Sequence, residues 1–132
     1  MKPRLLIGKA GLDMHDRGAR IVTHSLRNAG YEVVYIDSGR LPIEIAQIAV
    51  QEDVAAIGLS ILSGAHLHVF DELVVALREA GAGGIRLFAG GTISPQDGIR
   101  LKEMGVVEVF GPGTLTVDIV GAFDRSLVSE DG

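Results

Sequence analysis

The segment that decides the fold is VAAIGLSILSGAH, which occupies residues 54–66. Its first six residues carry no polar side chain, and such a run is typical of a parallel strand that is covered on both faces. Small residues and hydroxyls follow directly, before a helix that begins at His66 or Leu67. A buried strand, a short loop and a helix in succession predict one βα unit of a parallel sheet.

The same pattern recurs on both sides of this segment. Other short apolar runs, each followed by an amphipathic stretch, occupy residues 4–8, 31–36, 85–89 and 106–110. Pro42 and Pro95 stand where the following helices would begin, a position that favours proline. Five βα units predict a single α/β domain with a doubly wound, five-stranded parallel sheet in the flavodoxin-like order 2-1-3-4-5. We expect this domain to span residues 1–128 and a flexible tail to span 129–132.

Composition and charge exclude several classes of protein. The 132 residues include no cysteine, which excludes a disulfide framework, a thiolate metal site and a cysteine nucleophile. The longest weakly polar run, Val54 to Ala65, is too short for a membrane span of about 18 residues. Twelve basic against 17 acidic residues, with 5% aromatic residues, argue against nucleic-acid binding. No signal peptide is visible, so we expect a cytoplasmic protein with neither nucleic acid nor membrane as partner.

The predicted topology places a ligand site before any motif is considered. In doubly wound sheets, ligands bind outside the carboxyl ends of the strands, where the strand order reverses. Here the reversal falls between the first and third strands. The loops at that edge are residues 9–17, 60–66, 90–94 and 111–115.

The first of these loops is unusually polar and contains His15. A neutral imidazole can ligate a transition metal or act as a general base. Asp13, two residues earlier, could hold the second ring nitrogen, and Lys9 could pair with Asp13. The alternative is a solvated turn with local ion pairs among Asp13, Asp16 and Arg17.

The other loops are rich in small residues. Ser60 and Ser63 would let a flat or bulky ligand approach the backbone, although they could equally cap the third helix. The glycines of Gly90-Gly91 and of Gly111-Pro112-Gly113 permit close backbone approach, although tight turns alone could explain them. Two such turns at one edge favour a large ligand.

Several common ligands of this fold are excluded by absent motifs. Neither the dinucleotide fingerprint G-x-G-x-x-G nor the Walker loop G-x-x-x-x-G-K-[ST] follows the first strand. A phospho-receiver domain would need aspartate where the chain has Ser60. No serine lies on a G-x-S-x-G elbow, so a hydrolase triad is not supported.

Four strings together resemble the cobalamin-binding domain of base-off/His-on enzymes, and most closely the methylmalonyl-CoA mutase group. They are KAGLDMHDRGA at residues 9–19, QEDV at 51–54, GLSILSGAH at 58–66 and VFGPGT at 109–114. The first contains Asp13-x-His15-x-x-Gly18, which is a weak pattern by itself. The four strings occur in order on the matching fold, and the resemblance extends from Lys2 to Phe123.

The resemblance implies roles for individual residues. His15 would replace the cofactor's own base as lower axial ligand of cobalt, Asp13 would hydrogen-bond that imidazole, and Lys9 would complete the relay. The sequence departs from common family patterns at Met14, Phe110 and Gly111. The residues implied in cofactor binding are Asp13, Met14, His15, Asp16, Arg17, Gly18, Ser60, Leu62, Ser63, Gly64, Gly90, Gly91, Phe110, Gly111, Pro112, Gly113 and Thr114.

The resemblance also implies a function. The chain looks like the small subunit of a two-subunit, adenosylcobalamin-dependent acyl-CoA mutase, with a large acyl-CoA-binding barrel subunit as its partner. The reaction would be a radical rearrangement of methylmalonyl-, isobutyryl- or 2-hydroxyisobutyryl-CoA. A corrinoid carrier for methyl transfer, and a non-catalytic signalling or flavin module, are the alternatives. An absorbance spectrum with cobalamin would distinguish the last from the other two.

Overall fold

The structure is a computed structural model that describes residues 2–9, 17–36, 40–61, 66–111 and 113–127. Strands and helices alternate along the whole chain, as the apolar periodicity predicts. The elements are β1 (Arg4–Lys9), α1 (Arg17–Asn28), β2 (Glu32–Ile36), α2 (Pro42–Gln51), β3 (Ala56–Ile61), α3 (His66–Glu79), β4 (Arg86–Gly91), α4 (Pro95–Glu103), β5 (Val106–Phe110) and α5 (Thr116–Leu127).

The five strands form one parallel sheet in the order β2-β1-β3-β4-β5, which confirms the predicted topology. Three strands extend further toward the carboxyl edge than the sequence indicates. Lys9 pairs with Ser60, Ser60 pairs with Gly90, and Ile61 pairs with Gly91. Ser60 and both glycines are therefore strand residues, because each has a neighbouring strand to pair with.

The two faces of the sheet carry separate cores. Helices α2, α3 and α4 cover the face that bears Leu6, Ile57 and Leu87. Helices α1 and α5 pack against each other and cover the face that bears Ile7 and Phe88. Since the strands are buried on both faces, residues that point to either side are apolar, which explains the continuous apolar runs in the sequence.

Local signals place the helix starts at the carboxyl edge. The Ser94 Oγ accepts a hydrogen bond of 3.1 Å from the backbone N–H of Asp97 and so caps α4, which begins at Pro95 as predicted. Pro42 is the first residue of α2, as predicted. The backbone N–H of Leu41, just before it, donates to the Glu44 carboxylate over 2.8 Å.

Within the described part of the chain, no helix is both long enough and apolar enough to cross a membrane. The longest helix, α3, has only 14 residues. The predicted domain bounds and the tail at 129–132 stay predictions, since residues 128–132 lie outside the described ranges.

A candidate ligand cavity at the carboxyl edge

Side chains on the α1/α5 face of the sheet lie in rows across neighbouring strands. The middle row contains Ile7, Gly58 and Phe88. The outer row, nearest the carboxyl edge, consists of Lys9, Ser60, Gly90 and Phe110. Because the centre of the outer row has only a small hydroxyl and a glycine, the space between the sheet and the helices above it is not filled there.

The resulting space is a cavity of about 370 Å³ between the sheet and the N-terminal halves of α1 and α5. Among the described residues that line the cavity, only Ser60, Thr114 and Thr116 have polar side chains. No described lining residue is charged. Its volume and apolar wall are typical of a site for one small organic group.

Three aromatic rings make the floor and one side of the cavity. Phe88 stacks on Phe123 with ring centroids 3.9 Å apart and lies parallel to Phe110 at 6.2 Å. A Cβ on Gly58 would lie 2.8 Å from Ile7 Cδ1 and 3.3 Å from Phe123 Cζ. Glycine at position 58 therefore lets the Phe123 ring lie against the sheet.

The glycines around the cavity are of two kinds. A Cβ on Gly90 would meet its nearest described atom, the Phe110 carbonyl oxygen, at an ordinary 3.7 Å, and one on Gly18 or Gly111 would meet none within 4 Å. None of these three has a positive φ, so the fold does not require glycine there. Gly91 differs, because its φ is 121° and a Cβ would overlap the Ile61 carbonyl oxygen. Gly18, Gly90 and Gly111 leave space for a ligand, whereas Gly91 is needed for the backbone conformation.

Lys9 ends β1 in the outer row, beside Ser60, and is only 3% exposed. A buried ammonium group is stable only when neighbouring groups compensate its charge. The predicted relay of Lys9 to Asp13 stays a prediction, since Asp13 lies outside the described residues.

The structure brings most of the described candidate residues to this one cavity. Those that line it are Gly18, Ser60, Gly90, Gly91, Phe110, Gly111, Gly113 and Thr114. Thr114 Oγ1 donates to the Gly111 carbonyl oxygen over 2.7 Å and so closes the turn after β5. The candidates that lie outside the described residues, and stay predictions, are Asp13, Met14, His15, Asp16, Leu62, Ser63, Gly64, Pro112 and the side chain of Arg17.

Sequence reasoning missed the apolar wall of the cavity. The apolar residues of this wall are Ile7, Ala19, Ile21, Val22, Phe88, Ile119 and Phe123, and the other lining residues that were missed are Gly8, Gly58, Leu59, Ala89 and the polar Thr116. The available signal was the alternation within β1 and β4, which places Ile7 and Phe88 on one face. That signal identifies a core face but does not show that its outer end stays open.

The described residues include no group of three or more His, Asp or Glu placed to hold a metal ion.

An open parallel sheet with an apolar cavity outside its carboxyl edge defines the chain as a ligand-binding domain of the flavodoxin-like class. Its sequence narrows that class. Residues 3–120 match the family described as the B12 binding domain, and the chain belongs to this family.

Two relatives differ greatly in length. The chain is 41% identical over 129 residues to the 2-hydroxyisobutanoyl-CoA mutase small subunit of Aquincola tertiaricarbonis, covering 98% of this chain and 94% of that protein. It is 42% identical over 119 residues to methylmalonyl-CoA mutase of Escherichia coli (strain K12), covering 90% of this chain but 17% of that enzyme. The chain therefore spans the length of a small subunit and a sixth of the longer mutase.

A solved structure agrees with the fold. A cobalamin-binding protein from Desulfitobacterium hafniense DCB-2 superposes with a TM-score of 0.78 over 92% of this chain and 57% of that chain. Their sequence identity is 20%, so this likeness concerns the fold alone.

Gly18→Ala is expected to stabilise the chain and to weaken ligand binding. Alanine lowers the entropy of the unfolded chain and favours α1, so the free energy of unfolding should rise by about 0.5–1 kcal/mol. The new methyl group would enter the cavity, where no described atom lies within 4 Å of it. Thermal denaturation and a cobalamin titration measure the two effects.

The matched control is Gly98→Ala in α4, where a Cβ would lie 3.8 Å from Val109 Cγ1, away from the cavity. It should stabilise the chain similarly and leave binding unchanged. Equal binding by both variants would show that the space at Gly18 is not used by the ligand.

Proposed function

We propose that this chain is the cobalamin-binding small subunit of a two-subunit, adenosylcobalamin-dependent acyl-CoA mutase. The observation that carries the proposal is the alignment, end to end, with a mutase small subunit of nearly the same length. The substrate would be a short branched acyl-CoA of the methylmalonyl, isobutyryl or 2-hydroxyisobutyryl type, and the length match favours the last. The proposal keeps the cytoplasmic location expected from the sequence.

The cavity fits the part of cobalamin that must be moved aside. If His15 holds the cobalt in place of the cofactor's own base, that flat benzimidazole base and its nucleotide tail would need another place. The cavity offers about 370 Å³ with a mainly apolar wall. Gly18, Gly90 and Gly111 add to this space, although the fold itself does not require glycine at these positions. Ser60, Thr114 and Thr116 supply hydroxyls for the polar parts of the tail.

The protein's part is to bind and orient the cofactor. When bound, adenosylcobalamin supplies the carbon-centred radical that the rearrangement requires. His15 would hold the cobalt through a neutral imidazole nitrogen, and Asp13 would accept the other N–H and so fix the tautomer. The buried ammonium group of Lys9 would balance the charge of Asp13. The remaining candidates, at the carboxyl ends of β3, β4 and β5 and in the segments that follow β1, β3 and β5, would contact the cofactor's tail.

The partner would be a large subunit that binds the acyl-CoA in a barrel. The cavity of this chain has room for one small organic group, since such sites take about 300–1,000 Å³. Once the nucleotide tail occupies this cavity, the acyl-CoA would need a site on another chain. The longer mutase relative carries 83% of its length outside the match, which is where its other functions would lie.

The chain alone, loaded with adenosylcobalamin, is expected to show no acyl-CoA isomerisation. Activity should appear when a large barrel subunit is added, because only then can the reacting groups be positioned and shielded from water. The measurement is product formation from 2-hydroxyisobutyryl-CoA with and without that subunit, and the control is the subunit alone. Turnover by the chain without it would contradict the two-subunit proposal, and methyl transfer between small molecules would favour the corrinoid carrier instead.

A further inference from the structure

Far from the cavity mouth, three residues join the two helices that form its outer wall. Lys2 precedes β1, Tyr31 precedes β2, and Asp124 lies in the last turn of α5. The Tyr31 hydroxyl donates to Asp124 Oδ1 over 2.5 Å, and Lys2 Nζ donates to the same oxygen over 3.2 Å. Lys2 Nζ also lies 4.9 Å from the centroid of the Tyr31 ring.

Local structure brings Tyr31 to this position. Gly30, with a φ of 105°, reverses the chain directly after α1. The backbone N–H of Tyr31 then donates to the Leu26 carbonyl oxygen over 3.1 Å, and its side chain is 4% exposed. Tyr31 is thus bound to the C-terminal end of α1 by its backbone and to α5 by its hydroxyl.

Burial, and then the hydrogen bond and charge of Asp124, raise the pKa of the Tyr31 phenol well above its usual range. The phenol therefore stays protonated and donates at any physiological pH. Lys2 compensates the negative charge of Asp124 in a partly buried setting. Hydrogen bonds to a charged acceptor are stronger than neutral ones, so the Lys2–Tyr31–Asp124 cluster holds the helix ends firmly.

This cluster is one residue away from the cavity floor. Asp124 directly follows Phe123, whose ring stacks on Phe88 and lies against Gly58. A rotation of α5 about its axis would move Phe123 and Ile119, and both line the cavity. The cavity opens between the N-terminal halves of α1 and α5, and the cluster joins their C-terminal ends.

We propose that the Lys2–Tyr31–Asp124 cluster positions α5 relative to α1 and thereby sets the width of the cofactor cavity. Its members are positioning residues that act through Phe123 and Ile119, and none of them is a lining residue of the cavity. The proposal rests on the function proposed above for its ligand. It predicts that loosening the cluster weakens cofactor binding more than the accompanying loss of stability explains.

Tyr31→Phe removes the hydroxyl alone and is the direct test. Its matched control is Ile57→Val, a similar loss of stability on the opposite face of the sheet, at a residue that is fully buried. Cobalamin affinity is measured by absorbance titration of the full chain, far below both melting temperatures. Tyr31→Phe is expected to bind roughly tenfold more weakly than the parent chain, and Ile57→Val within about twofold of it.

Variants at Asp124 separate positioning from general destabilisation. Asp124→Asn keeps an oxygen that accepts from Tyr31 and should retain most of the affinity, whereas Asp124→Ala should resemble Tyr31→Phe. Should Tyr31→Phe fail to fold, Asp124→Ala against Asp124→Asn decides the same point. Equal affinities for Tyr31→Phe and Ile57→Val, or for the two Asp124 variants, would overturn the proposal.

A second measurement needs no cofactor and so separates this proposal from the proposed function. Amide hydrogen exchange at Val22 and Ile119, which line the cavity, should be roughly tenfold faster in Tyr31→Phe than in Ile57→Val. If the parent chain binds no cobalamin, the proposed function fails, and the exchange result still decides whether the cluster controls the cavity wall. Unchanged exchange at both residues would overturn the positioning role.

Discussion

A chain carrying Gly90→Leu is expected to fold as the parent does and to lose most of its cobalamin binding. Gly90 lies in the outer row of β4, where a Cβ meets its nearest described neighbour at 3.7 Å and points toward the cavity. A leucine there would occupy space that the cofactor's tail needs. The overlap should weaken affinity by roughly 10–100-fold, with little change in the free energy of unfolding.

The neighbouring glycine provides the contrast. Gly91→Ala should lower the free energy of unfolding by roughly 2–4 kcal/mol, because φ is 121° there and the new Cβ would overlap the Ile61 carbonyl oxygen. Denaturation and cobalamin titration of both variants measure the difference. If Gly90→Leu binds like the parent chain, the nucleotide tail does not lie in this cavity. If Gly91→Ala is as stable as the parent, the conclusion that the backbone requires glycine at position 91 is wrong.

The second large effect is expected from His15→Ala. With the parent chain, the electron paramagnetic resonance spectrum of bound cob(II)alamin should show coupling to a histidine nitrogen, and that coupling should change when histidine is labelled with nitrogen-15. In His15→Ala the labelled coupling should be lost. Partners that only support a metal-bound histidine contribute about 10–100-fold in affinity, so loss of the ligand itself should cost at least roughly 100-fold.

His24→Ala is the matched control, because His24 lies exposed on α1 and is not among the lining residues of the cavity. It should keep both the nitrogen coupling and the affinity. Coupling that is insensitive to the label in the parent chain, or that persists in His15→Ala, would contradict the assignment of His15 as axial ligand.

Much of the architecture was predictable because its signals are local. Apolar runs alternate with amphipathic stretches, and the bounds of β5 agree with the sequence prediction. Proline at position 42 and the N-cap at Ser94 mark helix starts through contacts within three residues. The strand order then follows from the handedness and shortness of βα connections, which leave few ways to arrange five such units.

Part of the candidate site was predictable for the same reason. The strand order puts four loops at one edge, and Ser60 and Gly90 do meet there. The sequence predicts Ser60 and Gly90 at the start of loops, whereas the structure pairs them inside strands. Ser60 and Gly90 stay in strands because a neighbouring strand pairs with each of them, and that neighbour is remote in the chain.

By itself, the sequence determined the fold class, the strand order, the edge of the sheet at which a ligand is expected and the family of the chain. Tertiary structure alone decided which glycine leaves space and which serves the backbone, since Gly90 and Gly91 are adjacent and chemically identical. It also decided that Phe123 lies on Gly58 and that Tyr31 meets Asp124, 93 residues away. The physical reason is that periodicity reports the face on which a residue lies, whereas packing against distant residues decides what that face encloses.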